Sequence, residues 1–396
     1  MKVYLIGTGM DGGRTLTSEA REAIDSSELL IGAERMLKPF ADMDKRKVCA
    51  YLPQDICDIL TRENCGAAAI LLSGDTGFFS GAAKLRQALA EYDTETICGI
   101  SSAAYLCAKA GISYENMKHI SLHGRDGNIA VNVRMNEKCF FLLGGSVTAA
   151  DVCRRLCEYG MPDVQIYIGE RLGYADEKIT AGIAAELCGN DTDKLCCLAA
   201  VNGAYLRHIP SCIGDESFVR GEIPMTKSAV RGNIVSGLDI EKGSVCWDIG
   251  CGTGSISVEM AFRCPDGRVY SFDKKAEAVR LTEENAKCFG CDNIFTYESE
   301  LPDLPEEIPA PDKVFIGGGS GSIKEVFGLV RERNESADIC VSAVSVETLG
   351  LAAAAFEEYG GHHTITQLAV TETRRAGGHT MFKAQNPIFI IRGKLK

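Results

Sequence analysis

No stretch of these 396 residues approaches the roughly 20 consecutive apolar residues that a helix needs to cross a bilayer. Positive charge is also short. Lys and Arg number 42 against 54 Asp and Glu, a net charge of −12, so the chain lacks the basic face of a general nucleic-acid or membrane-surface binder. Any anionic substrate must therefore meet local clusters of cations. The opening MKVYLIGTG passes directly into a strand and a glycine turn, without a signal peptide's cleavage region, and a cytoplasmic protein is expected. No Ser-His-Asp or metal-ligand constellation stands out. Of 18 cysteines only Cys288 and Cys291 have C-x-x-C spacing, with no second pair, so no metal is expected. The rest, including Cys98, Cys139, Cys246 and Cys340, lie mostly in apolar runs and read as small buried hydrophobes.

What is present is a chain long enough for two domains of ordinary size, with 45% apolar and 24% charged residues. Its most informative stretch is VCWDIGCGTGSISVEMAFRCPDGRVYSFD, Val245 to Asp273. A short apolar run, glycines at 250, 252 and 254, a helical segment and a second apolar run ending on Asp273 make a βαβ nucleotide-binding unit. A dinucleotide fingerprint is spaced G-x-G-x-x-G. Here the spacing is G-x-G-x-G, and Asp248 stands just before the turn. A carboxylate there would repel a pyrophosphate but suits an ammonium group, which points to S-adenosylmethionine rather than NAD. The stretch resembles the first motif of class I S-adenosylmethionine-dependent methyltransferases.

The first half alternates strands with helices, as in a parallel α/β sheet. Polar glycine turns at 7–10, 73–77 and 99–102 follow three of its strands, where open α/β sheets bind ligand. A second, smaller lobe begins near Lys138, and residues 206–222 are polar with proline and glycine, a linker composition. Three domain ranges follow: 1–207, a linker at 208–222, and 223–396. In the last range strands from Asn293, Asp312 and Ile339 complete a doubly wound sheet. His363 to Glu372 and Pro387 to Arg392 are expected to form an antiparallel edge pair.

LIGTG, LLSGDTGFF, GISSAAYLCAKAGI, SLHGRDGN and IYIGERLGYADEKI resemble, in order, the tetrapyrrole methylases, the class III methyltransferase fold. The chain departs from that pattern at GTGM in the first loop and at Thr76 after Gly74-Asp75, where relatives carry proline. PMTKSAVR, WDIGCGTGS, VFIGGGSG, AVSVET and NPIFIIRG are similar to the corrin-pathway methyltransferases that act at C15 and decarboxylate. The resemblance implies a two-lobed tetrapyrrole methylase domain followed by a Rossmann-like class I domain. It also implies two S-adenosylmethionine sites, a small-molecule tetrapyrrole substrate and a homo-oligomer.

By that resemblance Gly250, Cys251, Gly252, Thr253 and Gly254 hold the methionine portion in the second half. Asp273 holds the ribose, Glu300 and Leu301 flank the adenine, and Thr226 also contacts cofactor. In the first half the cofactor sits against Gly7, Gly9, Ser73, Gly74, Asp75, Ser101 and Ser102, with Gly144 and Asn202 closing the site from the second lobe. Cations for the substrate's carboxylates are sought at Lys227 and Arg231, at Arg374, Arg375 and His379 in a TETRRAGGHT loop, and at His123 and Arg125. No catalytic side chain is evident. Other readings stay open here: a methyltransferase acting on nucleic acid or protein, an NAD-linked oxidoreductase, and a tetrapyrrole carrier without chemistry.

Overall fold

The computed structural model describes residues 1–124, 126–317 and 322–395. The chain divides into two compact units. The first contains residues 1–126, 138–153 and 163–201; the second contains 127–137, 154–162 and 202–396.

The first unit holds two sheets. β1 (Lys2–Gly7), β2 (Leu29–Gly32), β3 (Arg46–Cys49), β4 (Ala67–Leu72) and β5 (Asp93–Ile97) form a wholly parallel sheet in the order β3-β2-β4-β1-β5. Its central strands are almost continuously apolar because helices cover both faces. Val3, Leu5, Leu29 and Ile70 pack into one apolar cluster, and Ile6, Leu30 and Leu71 into another. The helix Ser18–Ser26 starts after Thr17, whose hydroxyl caps it by accepting a hydrogen bond from the Ala20 N–H at 3.1 Å. β6 (Lys118–Ser121), β7 (Lys138–Leu142), β8 (Gln165–Glu170), β9 (Lys178–Ile183) and β10 (Cys196–Val201) make a mixed sheet in the order β6-β7-β10-β8-β9.

In the second unit β11 (Val245–Ile249), β12 (Arg268–Asp273), β13 (Ile294–Glu298), β14 (Lys313–Ile316) and β15 (Asp338–Ala343) are parallel neighbours in the order β13-β12-β11-β14-β15. Successive residues of β11 serve opposite faces: Cys246 packs with Ile234, Val258 and Phe262, Trp247 with Phe272, Phe327 and Phe356. The expected antiparallel edge pair is present as β16 (His362–Leu368) against β19 (Ile388–Lys394). Between these two strands the chain forms a separate hairpin, β17 (Thr371–Ala376) with β18 (His379–Ala384), where the sequence reading placed a loop. Residues 206–222 also differ from the linker reading. They carry only a short 3-10 turn, yet Ile213 and Phe218 are buried in the second unit's core.

The helix Ala130–Met135 belongs to the second unit, though it lies within the first half of the sequence. The Asp292 carboxylate accepts hydrogen bonds from the backbone N–H groups of Ile129, Ala130 and Val131 at 2.9, 2.9 and 3.0 Å. The Asn128 amide donates to the carbonyls of Pro265 and Gly267. Burial pushes the Asp292 carboxyl upward, and the three N–H groups oppose that shift.

No disulfide joins the cysteines among the described residues. Cys139, Cys246 and Cys340 are buried as expected, whereas Cys98 is exposed because it falls just after β5. No helix among the described residues is long and apolar enough to cross a membrane.

Candidate cofactor and substrate sites

β11 leads into a turn whose three glycines, 250, 252 and 254, all have positive φ (77°, 59° and 73°), a conformation that L side chains resist. A Cβ on Gly250 would overlap the carbonyl oxygen of Gly317, which follows β14. A Cβ on Gly254 would fall 2.7 Å from the Thr282 side chain. The turn is thus a backbone cradle between the ends of two neighbouring strands. Cys251 and Thr253 are buried, so they offer the crevice main chain rather than side chain. Asp273, at the end of β12, reaches the same place: one carboxylate oxygen accepts from the Gly252 N–H at 3.1 Å, the other from the Lys275 N–H at 3.0 Å. Leu301 is buried beside Phe272 and Ile308, while Glu300 is exposed and paired with Lys274 at 2.9 Å.

Asp248 is fully buried. One carboxyl oxygen accepts from the Ser257 hydroxyl, which in turn accepts from Ser271 at 2.9 Å. The other, Oδ1, meets no hydrogen-bond partner among the described residues. Burial raises this carboxyl to about 7, and the bonds from Ser257 only partly offset the shift. A raised carboxyl binds its proton more tightly folded than unfolded. The stability this confers is full below the ordinary value of 3.8 and is lost as pH rises through about 7. The second unit should therefore lose about 3 kcal/mol of unfolding free energy between about pH 5 and pH 8. Asp248→Asn should flatten that slope; denaturant titrations giving equal slopes for both proteins would refute it.

In the first unit the turns after β1, β4 and β5 meet. Gly9 and Gly74 exchange backbone hydrogen bonds at 3.0 and 2.9 Å, and a Cβ on Gly7 would lie 2.7 Å from both Gly74 O and Gly99 N. Asp75 ties these turns together, accepting from Gly99 N–H and Gly77 N–H, each at 2.9 Å. Ser101 caps the helix Ser102–Ala110, its hydroxyl accepting from the Ala104 N–H at 3.2 Å. In the second lobe Gly144 and His123 are neighbours, for a Cβ at 144 would overlap the imidazole.

Several expected residues are placed otherwise. Asn202 has its side-chain polar atoms engaged within the protein. It is buried, its amide donates to Val133 O at 2.9 Å, and its oxygen accepts from the Ala204 N–H at 3.0 Å. Arg231 is no surface cation. Its side chain has zero exposure; Nε donates to Glu259 at 2.7 Å, Nη1 to Asp215 and the Thr226 carbonyl, and Nη2 to the Ile213 carbonyl. Lys227 is half-exposed and sits 3.4 Å from Asp215. It is also the N-cap residue of the helix Ser228–Gly237. Thr226 stays near the glycine turn, because a Cβ on Gly252 would come 3.2 Å from the Pro224 carbonyl. Arg374, Arg375 and His379 lie on strands, not in a loop. In the register, Arg374 faces Met381 and shares a side with His379, whereas Arg375 shares the other with exposed Phe382. Arg125 and residues 318–321 of the glycine-rich VFIGGGSG stretch lie outside the described residues.

Residues 217–393 match the precorrin methyltransferase domain model. A probable cobalt-precorrin-6B C(15)-methyltransferase (decarboxylating) of Pyrobaculum calidifontis is 39% identical over 182 residues, covering 45% of this chain and 93% of that protein. The chain belongs to the precorrin methyltransferase family. Residues 2–188 of this precorrin methyltransferase also match the tetrapyrrole (corrin/porphyrin) methylases. A precorrin-6Y C(5,15)-methyltransferase (decarboxylating) of a Sinorhizobium species is 24% identical over 391 residues, 97% of this chain and 94% of that protein. The crystal structure of precorrin-6Y C5,15-methyltransferase from Geobacter metallireducens covers 48% of this chain and all of its own, at 30% identity and a TM-score of 0.45.

Methyltransferases of this family use S-adenosylmethionine, and the residues present fit it. The cradle at Gly250 has no room for a Cβ, Asp273 offers acceptors beside the turn, and Asp248 keeps an unpartnered oxygen beneath it. A pyrophosphate would meet these carboxylates unfavourably, whereas an ammonium and ribose hydroxyls would not.

Proposed function

We propose that this chain is a bifunctional methyltransferase of corrin ring synthesis. Residues 223–396 methylate C15 and remove the carboxyl of the C12 acetate; residues 1–207 then methylate C5, each around its own S-adenosylmethionine. One observation carries the reading: two unlike sets of glycine turns gather at the carboxyl ends of parallel strands in one chain. The matches to a precorrin methyltransferase model and a tetrapyrrole methylase model support it.

The cofactor supplies a methyl group on a good sulfonium leaving group, so the chain's contribution is alignment and exclusion of water. Gly250 to Gly254 present main chain to the methionine portion. Asp273 accepts from the ribose hydroxyls, Leu301 offers apolar surface to the adenine, and Thr226 adds a wall. In the first half Gly7, Gly9, Ser73, Gly74, Ser101 and Ser102 receive the second cofactor, Asp75 fixes their turns, and Gly144 borders them. Substrate carboxylates pair with Lys227, Arg375 and His123. Decarboxylation needs an electron sink, which the conjugated ring provides. The protein's part is to hold the departing carboxylate where water solvates it poorly.

The test is a mass spectrum of the intact protein's products from candidate precorrins and S-adenosylmethionine. Two added methyl groups and one lost carbon dioxide are expected. Calorimetry with S-adenosylhomocysteine should find two sites per chain; a single site, or a product with one methyl, would overturn the bifunctional reading.

A further inference from the structure

The first unit has a cleft of about 520 Å³ lined by Asp11, Arg14, Gly173, Tyr174 and Glu177. Three guanidinium groups converge on its Gly173-Tyr174 turn. Arg14 donates to the Gly173 carbonyl at 2.6 Å, Arg35 donates to the Tyr174 hydroxyl at 3.3 Å, and Arg171 lies 5.1 Å from the centre of the Tyr174 ring. Arg35 also donates to the Ser73 hydroxyl at 3.1 Å, which puts it directly beside the turn that follows β4.

The three differ in what already neutralises them. Arg171 is paired with Asp176 at 2.5 Å. Arg14 lies 3.6 Å from Asp11, but that carboxylate is committed elsewhere, accepting from Gly13 N–H, Thr15 N–H and the Thr15 hydroxyl. Arg35 is exposed and donates to two neutral hydroxyls, with no carboxylate pairing to it among the described residues. On a chain of net charge −12, an uncompensated guanidinium one hydrogen bond from the cleft-lining Tyr174 and one from a strand-end turn is an unusual placement. Its planar fork suits a carboxylate better than hydroxyls.

The geometry points to Arg35 as the residue that recognises a peripheral carboxylate of the tetrapyrrole in the C5 reaction, with Arg14 as its second cation. This rests on the proposed function and deepens it. A carboxylate bridging Arg35 and Arg14 draws the macrocycle's rim onto the Gly173-Tyr174 turn and leaves the ring lying toward Ser73. Arg171 holds the Tyr174 ring in place; its own φ of 47° shows the turn to be fixed in a conformation that an arginine seldom adopts.

Arg35→Ala should raise KM for the tetrapyrrole in C5 methylation by about tenfold or more, since charge-assisted hydrogen bonds are lost. The KM for S-adenosylmethionine should stay within about twofold, and so should C15 methylation by the same chain. Arg35→Lys, which keeps the charge but not the fork, should fall between. The inference is overturned if no parameter moves, if the cofactor's KM rises as much as the substrate's, or if C15 methylation falls equally. A parallel fluorescence titration uses uroporphyrin, a stable tetrapyrrole with an acetate and a propionate on every pyrrole. Weaker binding to one class of sites in Arg35→Ala is expected, and unchanged binding overturns the assignment. If wild-type protein transfers no methyl group to C5, the proposed function falls by itself, and the titration still decides the arginine.

Discussion

Arg231→Met should lower the unfolding free energy of the second unit by about 3–5 kcal/mol, the cost of leaving a buried charge without its partner. The guanidinium has no exposed surface and lies 4.8 Å over the Phe218 ring. Its partner Glu259 is 1% exposed and also accepts from the Ile213 N–H at 2.9 Å. Through these bonds residues 213–218 are pinned against the helices Ser228–Gly237 and Ser255–Arg263. Removing the cation alone strands the carboxylate in the core. Removing both charges, as Arg231→Met with Glu259→Gln, should restore much of the loss, because a buried ion pair often contributes little net stability. Denaturant unfolding of the two variants is the check. A single variant within about 1 kcal/mol of wild type would mean the network is not structural.

Asp273→Ala should reduce C15 methylation by about a hundredfold or more while C5 methylation of a suitable intermediate continues. The carboxylate fixes the Gly252 N–H, so its removal loosens the turn and, on the proposed function, deletes the ribose acceptor as well. Asp75→Ala should have the mirrored effect. That side chain joins the turns after β4 and β5, and without it the Gly99 and Gly77 N–H groups lose their acceptor. Rates for each carbon, measured separately by mass spectrometry on isotopically labelled cofactor, decide between one and two active centres. Parallel loss of both activities in either variant would sink the idea of independent sites.

The parallel strands and their glycine turns were legible because their signals are local. An apolar run followed by glycine reads the same in sequence and in space, and the strand Ala67–Leu72 begins and ends where its composition says. Tertiary placement was not legible. Lys227 and Arg231 look equivalent on a helix, yet only Arg231 is roofed over, because Ile213 and Phe218 fold back upon it. Asn202 reads as a polar residue after a strand, but its donor finds Val133 far along the chain. The hairpin had a readable sign, Gly377-Gly378 between two segments of equal length, a two-residue turn favoured in hairpins. Its strands carry no apolar side to advertise them, so cations drew attention instead. The grouping of Arg14, Arg35 and Arg171 around one tyrosine depends on segments more than a hundred residues apart, and no local pattern announces it.

The carboxylate of Asp292, with its three amide donors at Ile129, Ala130 and Val131, bears on how such a gene can be divided. A stop codon placed in the 208–222 segment, with the remainder translated separately, would strip a sealed-in acid of these three amide donors and take Val131 out of the core it helps to fill. Separate translation of the two parts therefore carries a folding penalty that a flexible tether would not impose.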